Sequence, residues 1–255
     1  MTDSNAGISI QQAKKMDVFM LNMPVIIDGK TYIENEDIEP EFFYTSQEND
    51  ADVTSSQPSV ASLTAMWKEI LKEYEELVYI PMTSGLSGSC ASAIMFAKEF
   101  KGKVQVVDNH RISVTQMLSV MDAVAYRNEG KSAVEIRELL EQDSLNATIY
   151  ITVNTLKYLV KGGRITPGVA MLGSLLQIKP VLTIQGEKLD AFAKVRGMKK
   201  CHMKIIDAIQ NDLNTRFKDI PTERIRLGAA GAGLTPEEIE IWKQELSEAF
   251  PQLEL

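Results

Sequence analysis

The sequence predicts a two-domain α/β protein of 255 residues, with a parallel sheet in the N-terminal domain and an α+β arrangement in the C-terminal domain. Apolar segments of strand length alternate with segments of helical period through the first half of the chain, which is typical of βαβ units. The second half combines helices with a strand hairpin. Because this length accommodates two domains, we place the boundary near Val153, giving domains at 1–153 and 154–255.

In the N-terminal domain, a short helix is expected from Ser9 to Met16, followed by a β-ribbon insertion near 17–35. The dipeptide Asp28-Gly29 predicts the ribbon because it favours a two-residue hairpin turn. After the ribbon we expect a helix at 40–47, a polar loop at 48–56, a helix at 59–74, a strand at 77–81, a helix at 89–100, a strand at 104–107, helices at 115–128 and 132–142, and a strand at 147–152.

In the C-terminal domain, two short helices are expected at 155–160 and 167–173, then a hairpin of strands 178–184 and 188–194 around Gly186. A long helix at 199–217 and a strand at 225–230 follow. The segment Thr235-Pro236-Glu237-Glu238 then begins a final helix, since it has Pro at the first helical position and Glu three residues after the cap.

The composition excludes several classes of function. The net charge is −8 and no basic stripe is visible, so nucleic acid is not an expected partner. Cys90 and Cys201 are far apart, and no signal peptide is apparent, so we expect free thiols and a cytoplasmic protein. Two histidines and two cysteines, all separated, predict no metal site and no cofactor. The apolar stretches are shorter than the roughly 20 residues that span a bilayer, so at most a transient membrane contact is expected.

The most informative segment is Pro81-Met82-Thr83-Ser84-Gly85-Leu86-Ser87-Gly88-Ser89, between a predicted strand and a predicted helix. Ligands of open α/β sheets bind at the carboxyl ends of strands, and a helix N-terminus offers unpaired N–H groups to an anion. These hydroxyls therefore predict an anion site, although Ser and Thr are also favoured as plain helix caps.

A second hydroxyl-rich loop, Thr54-Ser55-Ser56-Gln57-Pro58-Ser59, also leads into a helix and by itself would be interpreted as a cap. Arg164 and Arg196 each lie beside glycine in a predicted loop. Arginine suits bidentate recognition of a carboxylate or phosphate, but isolated arginines are more often solvated.

Taken together, these segments resemble the DegV family, whose members include the fatty-acid-binding subunits of bacterial fatty acid kinase. The resemblance covers nearly the whole chain and implies two α/β domains with a fatty acid between them, the C-terminal domain completing a lipid tunnel. The matching residues are Thr2-Asp3-Ser4, Ser55-Ser56-Gln57-Pro58 for the family's Thr-Ser-Gln-Pro, Gly85-Leu86-Ser87-Gly88-Ser89, Val107-Asp108, Lys161-Gly162-Gly163-Arg164-Ile165 and Lys194-Val195-Arg196.

The resemblance also implies a non-catalytic role: the protein binds a long-chain fatty acid such as palmitate and presents its carboxylate to a DAK-type fatty acid kinase subunit. The carboxyl group would be held by Ser55 and Ser87. The other residues implied are Thr54, Ser56, Gly88, Ser89 and Arg164 near the head group, with Arg164 and Arg196 for docking of the kinase. The flexible or branched apolar side chains of the second domain suit the lining of a dry channel, although each could equally be plain core; they are Met171, Leu172, Leu175, Leu176 and Ile178. The family's complete first apolar strand and its C-terminal His-Thr-Gly-Pro-Gly type segment have no counterpart in this sequence.

Two other functions remain open at this point. Gly85-Leu86-Ser87-Gly88 is similar to the nucleophile elbow of serine hydrolases, but Ser89 replaces the last glycine, and a base would have to come from His110 or His202. A small-anion or phosphate-binding protein is the other alternative, although the loop lacks the glycine and lysine spacing of a triphosphate cradle.

Overall fold

A computed structural model describes residues 1–170, 179–253 and 255. The chain divides into two compact units, one formed by Met1–Ala147 with Gln185–Lys188, the other by Thr148–Ile184 with Leu189–Leu255. Each unit combines helices with a sheet, which agrees with the predicted α/β class. The sequence-based expectations for Met171, Leu172, Leu175, Leu176 and Ile178 fall outside the described residues.

The first unit contains short parallel strands, as predicted. Strand β1 (Thr2–Asp3) pairs with β2 (Met20–Leu21), and β6 (Leu77–Tyr79) pairs with β7 (Val104–Val106), both in parallel. A parallel bridge from Thr2 to Ile80 connects the two pairs. The β-ribbon expected near 17–35 was therefore wrong at Met20–Leu21, because β2 pairs with β1 instead.

A separate antiparallel sheet has the order β4-β3-β5 and includes β3 (Pro24–Ile27), β4 (Lys30–Ile33) and β5 (Val53–Ser55). The hairpin turn is confirmed: Asp28 and Gly29 have φ of 48° and 79°, as a two-residue turn of this kind requires. Strand β5 lies in the segment expected to be a polar loop. The sequence did not reveal β5 because Val53 is its only apolar residue, and the strand forms by pairing with the free edge of β3.

The helices of the first unit begin at or within one residue of the predicted positions, and several begin at recognisable caps. Ser9, Ser59 and Ser132 are N-caps whose side chains accept a backbone hydrogen bond, and Ser132 forms the predicted capping box with Glu135. The helices are α1 (Ile10–Lys15), α2 (Pro40–Glu48), α3 (Val60–Ile70), α4 (Ser89–Ala97), α5 (Val114–Asn128) and α6 (Ala133–Gln142).

The core of the first unit fixes the place where β6 ends. Trp67 of α3 is fully buried and packs edge-to-face on Tyr79 of β6 and on Phe100, with ring centroids 5.8 and 5.3 Å apart. A second apolar cluster contains Ile80 and Val107, which directly follow β6 and β7. Aromatic pairs of this geometry stabilise the fold beyond the free energy of apolar burial. The residues at and just after the ends of β6 and β7 are therefore anchored in the core, and the loops begin from fixed positions.

The second unit contains an antiparallel sheet of order β10-β9-β8, formed by β8 (Ile149–Thr152), β9 (Lys179–Ile184) and β10 (Asp190–Val195). Strand β8 was expected to complete the first domain, but it pairs with β9 and belongs to this sheet. The helices are α7 (Lys157–Gly162), α8 (Pro167–Ala170), α9 (Met198–Asn214) and α10 (Pro236–Ala249).

In the second unit, one predicted feature forms and another does not. The capping box of Thr235 and Glu238 forms as predicted at the start of α10. The strand expected at 225–230 is wrong, since only Arg226 there takes part in a bridge. Gly228 and the small residues after it bring little side-chain packing to a sheet, which weakens a strand.

Candidate functional site

The loop that follows β6 is built around Thr83. Its backbone N–H donates to Arg111 O at 2.9 Å, and its hydroxyl donates to Gly186 O at 2.7 Å. The same hydroxyl accepts from the N–H of Gly85 at 3.1 Å. A Cβ at Gly85 would lie 2.2 Å from Gly186 O. Gly85 is therefore required by the close approach of residues 185–188, which are part of this unit.

The next hydroxyls lie at the N-terminus of α4. The half-buried Ser87 side chain accepts from Ser89 N–H at 3.2 Å, and Gly88 is the N-cap residue. The N–H groups of Cys90 and Ala91, in the first helical turn, have no acceptor within the helix. The Ser89 hydroxyl is buried, and no described residue forms a hydrogen bond with it. This end of α4 thus offers hydroxyl and N–H donors to an anion.

The second hydroxyl loop is held by the antiparallel sheet. Ser55 of β5 pairs with Val25 of β3, and Ser56 N–H donates to Pro24 O at 3.2 Å. Thr54, Ser55 and Ser56 are all exposed.

The structure brings the two loops together. A Cβ added at Gly88 would lie 3.5 Å from Oε1 of Gln57, so the residue that follows Ser56 contacts the cap of α4. The loops at 54–57 and 87–89 therefore lie close to each other in the first unit, although they are separated by a helix and a strand in the chain.

Two carboxylates hold the backbone of the loop after β6. The fully buried Asp3 accepts from Met82 N–H at 2.9 Å, and Asp108 accepts from Ser84 N–H at 3.3 Å. Burial raises the pKa of Asp3, and four hydrogen bonds from Met82, Gln116 and Asn5 oppose that rise. Burial, assisted by the nearby Asp108 carboxylate, also raises the pKa of the Cys90 thiol to about 12.

The sequence reasoning assigned no role to Asp3 and Ser4 beyond the resemblance. The available signal was a carboxylate at the last residue of a short strand and a hydroxyl directly after it, because strand ends of a parallel sheet meet at one edge.

The two arginines lie in the second unit. The half-buried Arg164 follows the C-cap Gly163 of α7 and donates to Gly162 O at 2.7 Å. Arg196 is exposed in the connection between β10 and α9. Both side chains present guanidinium groups outside regular structure, as the sequence predicted.

The described residues do not form the hydrogen bond that a serine hydrolase needs between nucleophile and base. The Ser87 hydroxyl contacts Ser89 N–H rather than a histidine. His202 contacts Glu245 at 2.6 Å and packs on Trp242 in the second unit. His110 lies beside Gly186.

The part of the chain that the structure describes also lacks two other kinds of site. No group of three or more His, Cys, Asp or Glu side chains there is arranged to hold a metal ion. None of its helices combines the length and the apolar character needed to cross a bilayer. Cys90 and Cys201 are free thiols, as predicted.

Comparison with known proteins agrees with the resemblance seen in the sequence. A family model described as "Uncharacterised protein, DegV family" matches residues 1–255. A DegV domain-containing protein of Deinococcus radiodurans is 31% identical over 201 residues, covering 78% of this chain and 72% of that protein.

Two solved structures have the same fold. DegV from Bacillus subtilis, described as a fatty acid binding protein, superimposes with a TM-score of 0.82 at 27% identity, covering 99% of this chain and 88% of its own. A DegV family protein from Thermus thermophilus, reported for its fatty acid binding, has a TM-score of 0.75 at 31% identity, covering 82% of this chain and 75% of its own.

Proposed function

This chain belongs to the DegV family, and from that membership and the geometry of its hydroxyl loops we propose that it binds a long-chain fatty acid such as palmitate. The observation that carries the proposal is the meeting of the two loops at Gly88 and Gln57, beside the N-terminus of α4. The Bacillus subtilis and Thermus thermophilus proteins, which share the fold at 27% and 31% identity, are described as binding fatty acids.

The head group is assigned to the hydroxyls of Ser55 and Ser87. Thr54, Ser56, Gly88 and Ser89 are their neighbours in the chain, and the buried Ser89 hydroxyl supplies a donor that no described residue uses. A carboxylate removed from water must regain hydrogen bonds. Each hydrogen bond to a charged group contributes about 1.5–3 kcal/mol, so two hydroxyls and the helix N–H groups account for recognition of the acid.

The hydrocarbon tail supplies most of the affinity. Burial contributes about 0.8 kcal/mol per methylene, so the roughly 14 methylenes of palmitate add up to about 11 kcal/mol before the costs of binding. The hydroxyl loops then determine orientation, and they distinguish an acid from an alcohol of the same length.

The finer part of the proposal is presentation to a DAK-type kinase subunit. A carboxylate oxygen of the bound fatty acid attacks the γ-phosphorus of ATP, the bond to the β-phosphate oxygen breaks, and the products are an acyl phosphate and ADP. We assign the guanidinium groups of Arg164 and Arg196 to docking of that subunit, because arginine forms paired hydrogen bonds with carboxylates. On this proposal the chain itself carries no catalytic residue.

Native mass spectrometry of the purified protein tests the proposal. The expected spectrum shows a mass increase equal to one fatty acid, which solvent extraction then identifies. With the kinase subunit, ATP and hydroxylamine, the acyl phosphate should be trapped as a hydroxamate. Protein that carries no lipid and takes up no palmitate from vesicles would refute fatty acid binding.

A small-anion ligand is the second candidate that the helix N-terminus favours. Inorganic phosphate distinguishes the two, since a phosphate-binding protein should be saturated by phosphate and should not respond to palmitate. A fatty-acid-binding protein should bind palmitate at unchanged affinity in phosphate buffer.

A further inference from the structure

Ser4 connects the turn after β1 to the base of the β3–β4 hairpin. Its hydroxyl donates to Glu34 Oε2 at 2.5 Å and accepts from Met23 N–H at 3.0 Å. Met23 directly precedes β3 and Glu34 directly follows β4, and Glu34 N–H also donates to Met23 O at 3.0 Å. One hydroxyl therefore holds both ends of the hairpin.

The neighbouring Asp3 holds the other hydroxyl loop. One of its carboxylate oxygens accepts from Met82 N–H at 2.9 Å, where the loop after β6 begins. The other oxygen accepts from Asn5 and from Gln116 Nε2, each at 3.0–3.1 Å. Since Asp3 is fully buried and has four donors, its position is closely defined.

The position of the hairpin determines the position of Ser55. Among the strands that the structure describes, β5 pairs with β3 alone, with Ser55 opposite Val25 and Ser56 N–H bonded to Pro24 O at 3.2 Å. A shift at the base of β3 therefore moves the hydroxyls of β5. Adjacent residues, Asp3 and Ser4, thus hold the two loops whose hydroxyls are proposed to grip one carboxylate.

We propose that Ser4 is a positioning residue for the head-group site, because its hydroxyl sets the place of Ser55 relative to Ser87. The inference deepens the proposed function and rests on it. Ser4 does not touch the ligand in this scheme. A hydroxyl reaches a carboxylate oxygen at about 2.5–3.0 Å and with a restricted angle, so a small displacement of β5 removes one of the two hydroxyl contacts with the carboxylate.

The test compares three variants in calorimetric titrations with palmitate and with hexadecanol, which has the tail without the carboxylate. Ser4→Ala should weaken palmitate binding about tenfold and change hexadecanol binding by less than about twofold. Ser4→Thr keeps the hydroxyl and should restore palmitate affinity. Asn22→Ala is the matched control, since it removes hydrogen bonds to Glu36 and Asn35 at the base of the same hairpin but none to the turn after β1, and it should bind as wild type.

Equal losses for palmitate and hexadecanol in Ser4→Ala would indicate a merely structural role and overturn the inference, as would wild-type palmitate affinity or failure of Ser4→Thr to restore binding. If Ser4→Ala does not fold, Glu34→Gln replaces it. That variant weakens the acceptor of the Ser4 hydroxyl and should still lower palmitate affinity selectively; unchanged affinity would count against the inference.

Hydrogen exchange without ligand separates this inference from the proposed function. Ser4→Ala should speed exchange of the Ser56 amide, which bonds to Pro24, and leave the β7 amides unchanged. Wild-type protein that binds neither lipid would refute the proposed function. Unchanged exchange at Ser56 would refute positioning by Ser4, whatever the lipid result.

Discussion

Ser87→Ala tests the head-group assignment most directly. In the structure the Ser87 hydroxyl is half-buried and accepts one hydrogen bond, from Ser89 N–H at 3.2 Å. Loss of a neutral hydrogen bond of this kind lowers the free energy of unfolding by about 0.5–1.5 kcal/mol. The variant should therefore fold.

The effect on binding should be larger than the effect on stability. A hydrogen bond to a carboxylate contributes about 1.5–3 kcal/mol, and each 1.4 kcal/mol is a factor of about ten in the dissociation constant. Ser87→Ala should therefore weaken palmitate binding by about 10- to 150-fold. Binding of hexadecanol, which lacks the charge, should change much less.

Isothermal titration calorimetry measures both ligands, and thermal unfolding monitors the fold. Ser84→Ala is the matched control: Ser84 lies in the same loop, its side chain is exposed, and its backbone N–H keeps its bond to Asp108. It should bind palmitate as wild type does. A palmitate affinity for Ser87→Ala within about twofold of wild type would refute the reasoning, because the carboxylate would then be held elsewhere.

Three further predictions concern packing, docking and thiol chemistry. Gly85→Ala should lower the free energy of unfolding by about 1–3 kcal/mol in urea titrations, since its Cβ would lie 2.2 Å from a backbone oxygen. Gly88→Ala, whose Cβ would have its nearest contact at 3.5 Å, should lower the free energy of unfolding by less. Equal losses of stability in the two variants would contradict the close approach at Gly85. Arg196→Ala should slow acyl phosphate formation with the kinase subunit and leave palmitate affinity unchanged. Lys199→Ala, which removes a nearby exposed charge, should leave both phosphorylation and affinity unchanged. Parallel losses of phosphorylation and palmitate binding in Arg196→Ala would exclude a docking role. Cys90, fully buried and with its thiol pKa raised to about 12 by burial, should resist a disulfide reagent at pH 8 until the protein is unfolded, and rapid labelling of the native thiol would show that the site opens.

Features with local causes were predicted well. The Asp28-Gly29 turn and the capping boxes at Ser132 and Thr235 form where the sequence placed them, because each depends on residues within one turn of chain. Features with distant causes were missed. Val53–Ser55 forms a strand by pairing with the edge of β3. Strand β8 pairs with β9 in the second unit, although the sequence placed it in the first domain.

The candidate site shows the same division. Its hydroxyl-rich loops and the helix N-terminus were recognisable from sequence alone. The requirement for Gly85 was not, since the backbone that it accommodates lies at Gly186. The roles of Ser4 and Asp3 could be assigned only from their hydrogen bonds with Glu34 and Met82, which are far away in the sequence.

The sequence by itself determined where most helices begin, which hairpin turn forms at Asp28-Gly29, and which family pattern the chain carries, because periodicity, turns and caps depend on neighbouring residues. Only the tertiary structure decided that the loops at 54–57 and 87–89 meet, and that Asp3 and Ser4 hold them. Such contacts join residues separated by tens of positions, and their free energy comes from strand pairing and burial, which no local pattern specifies.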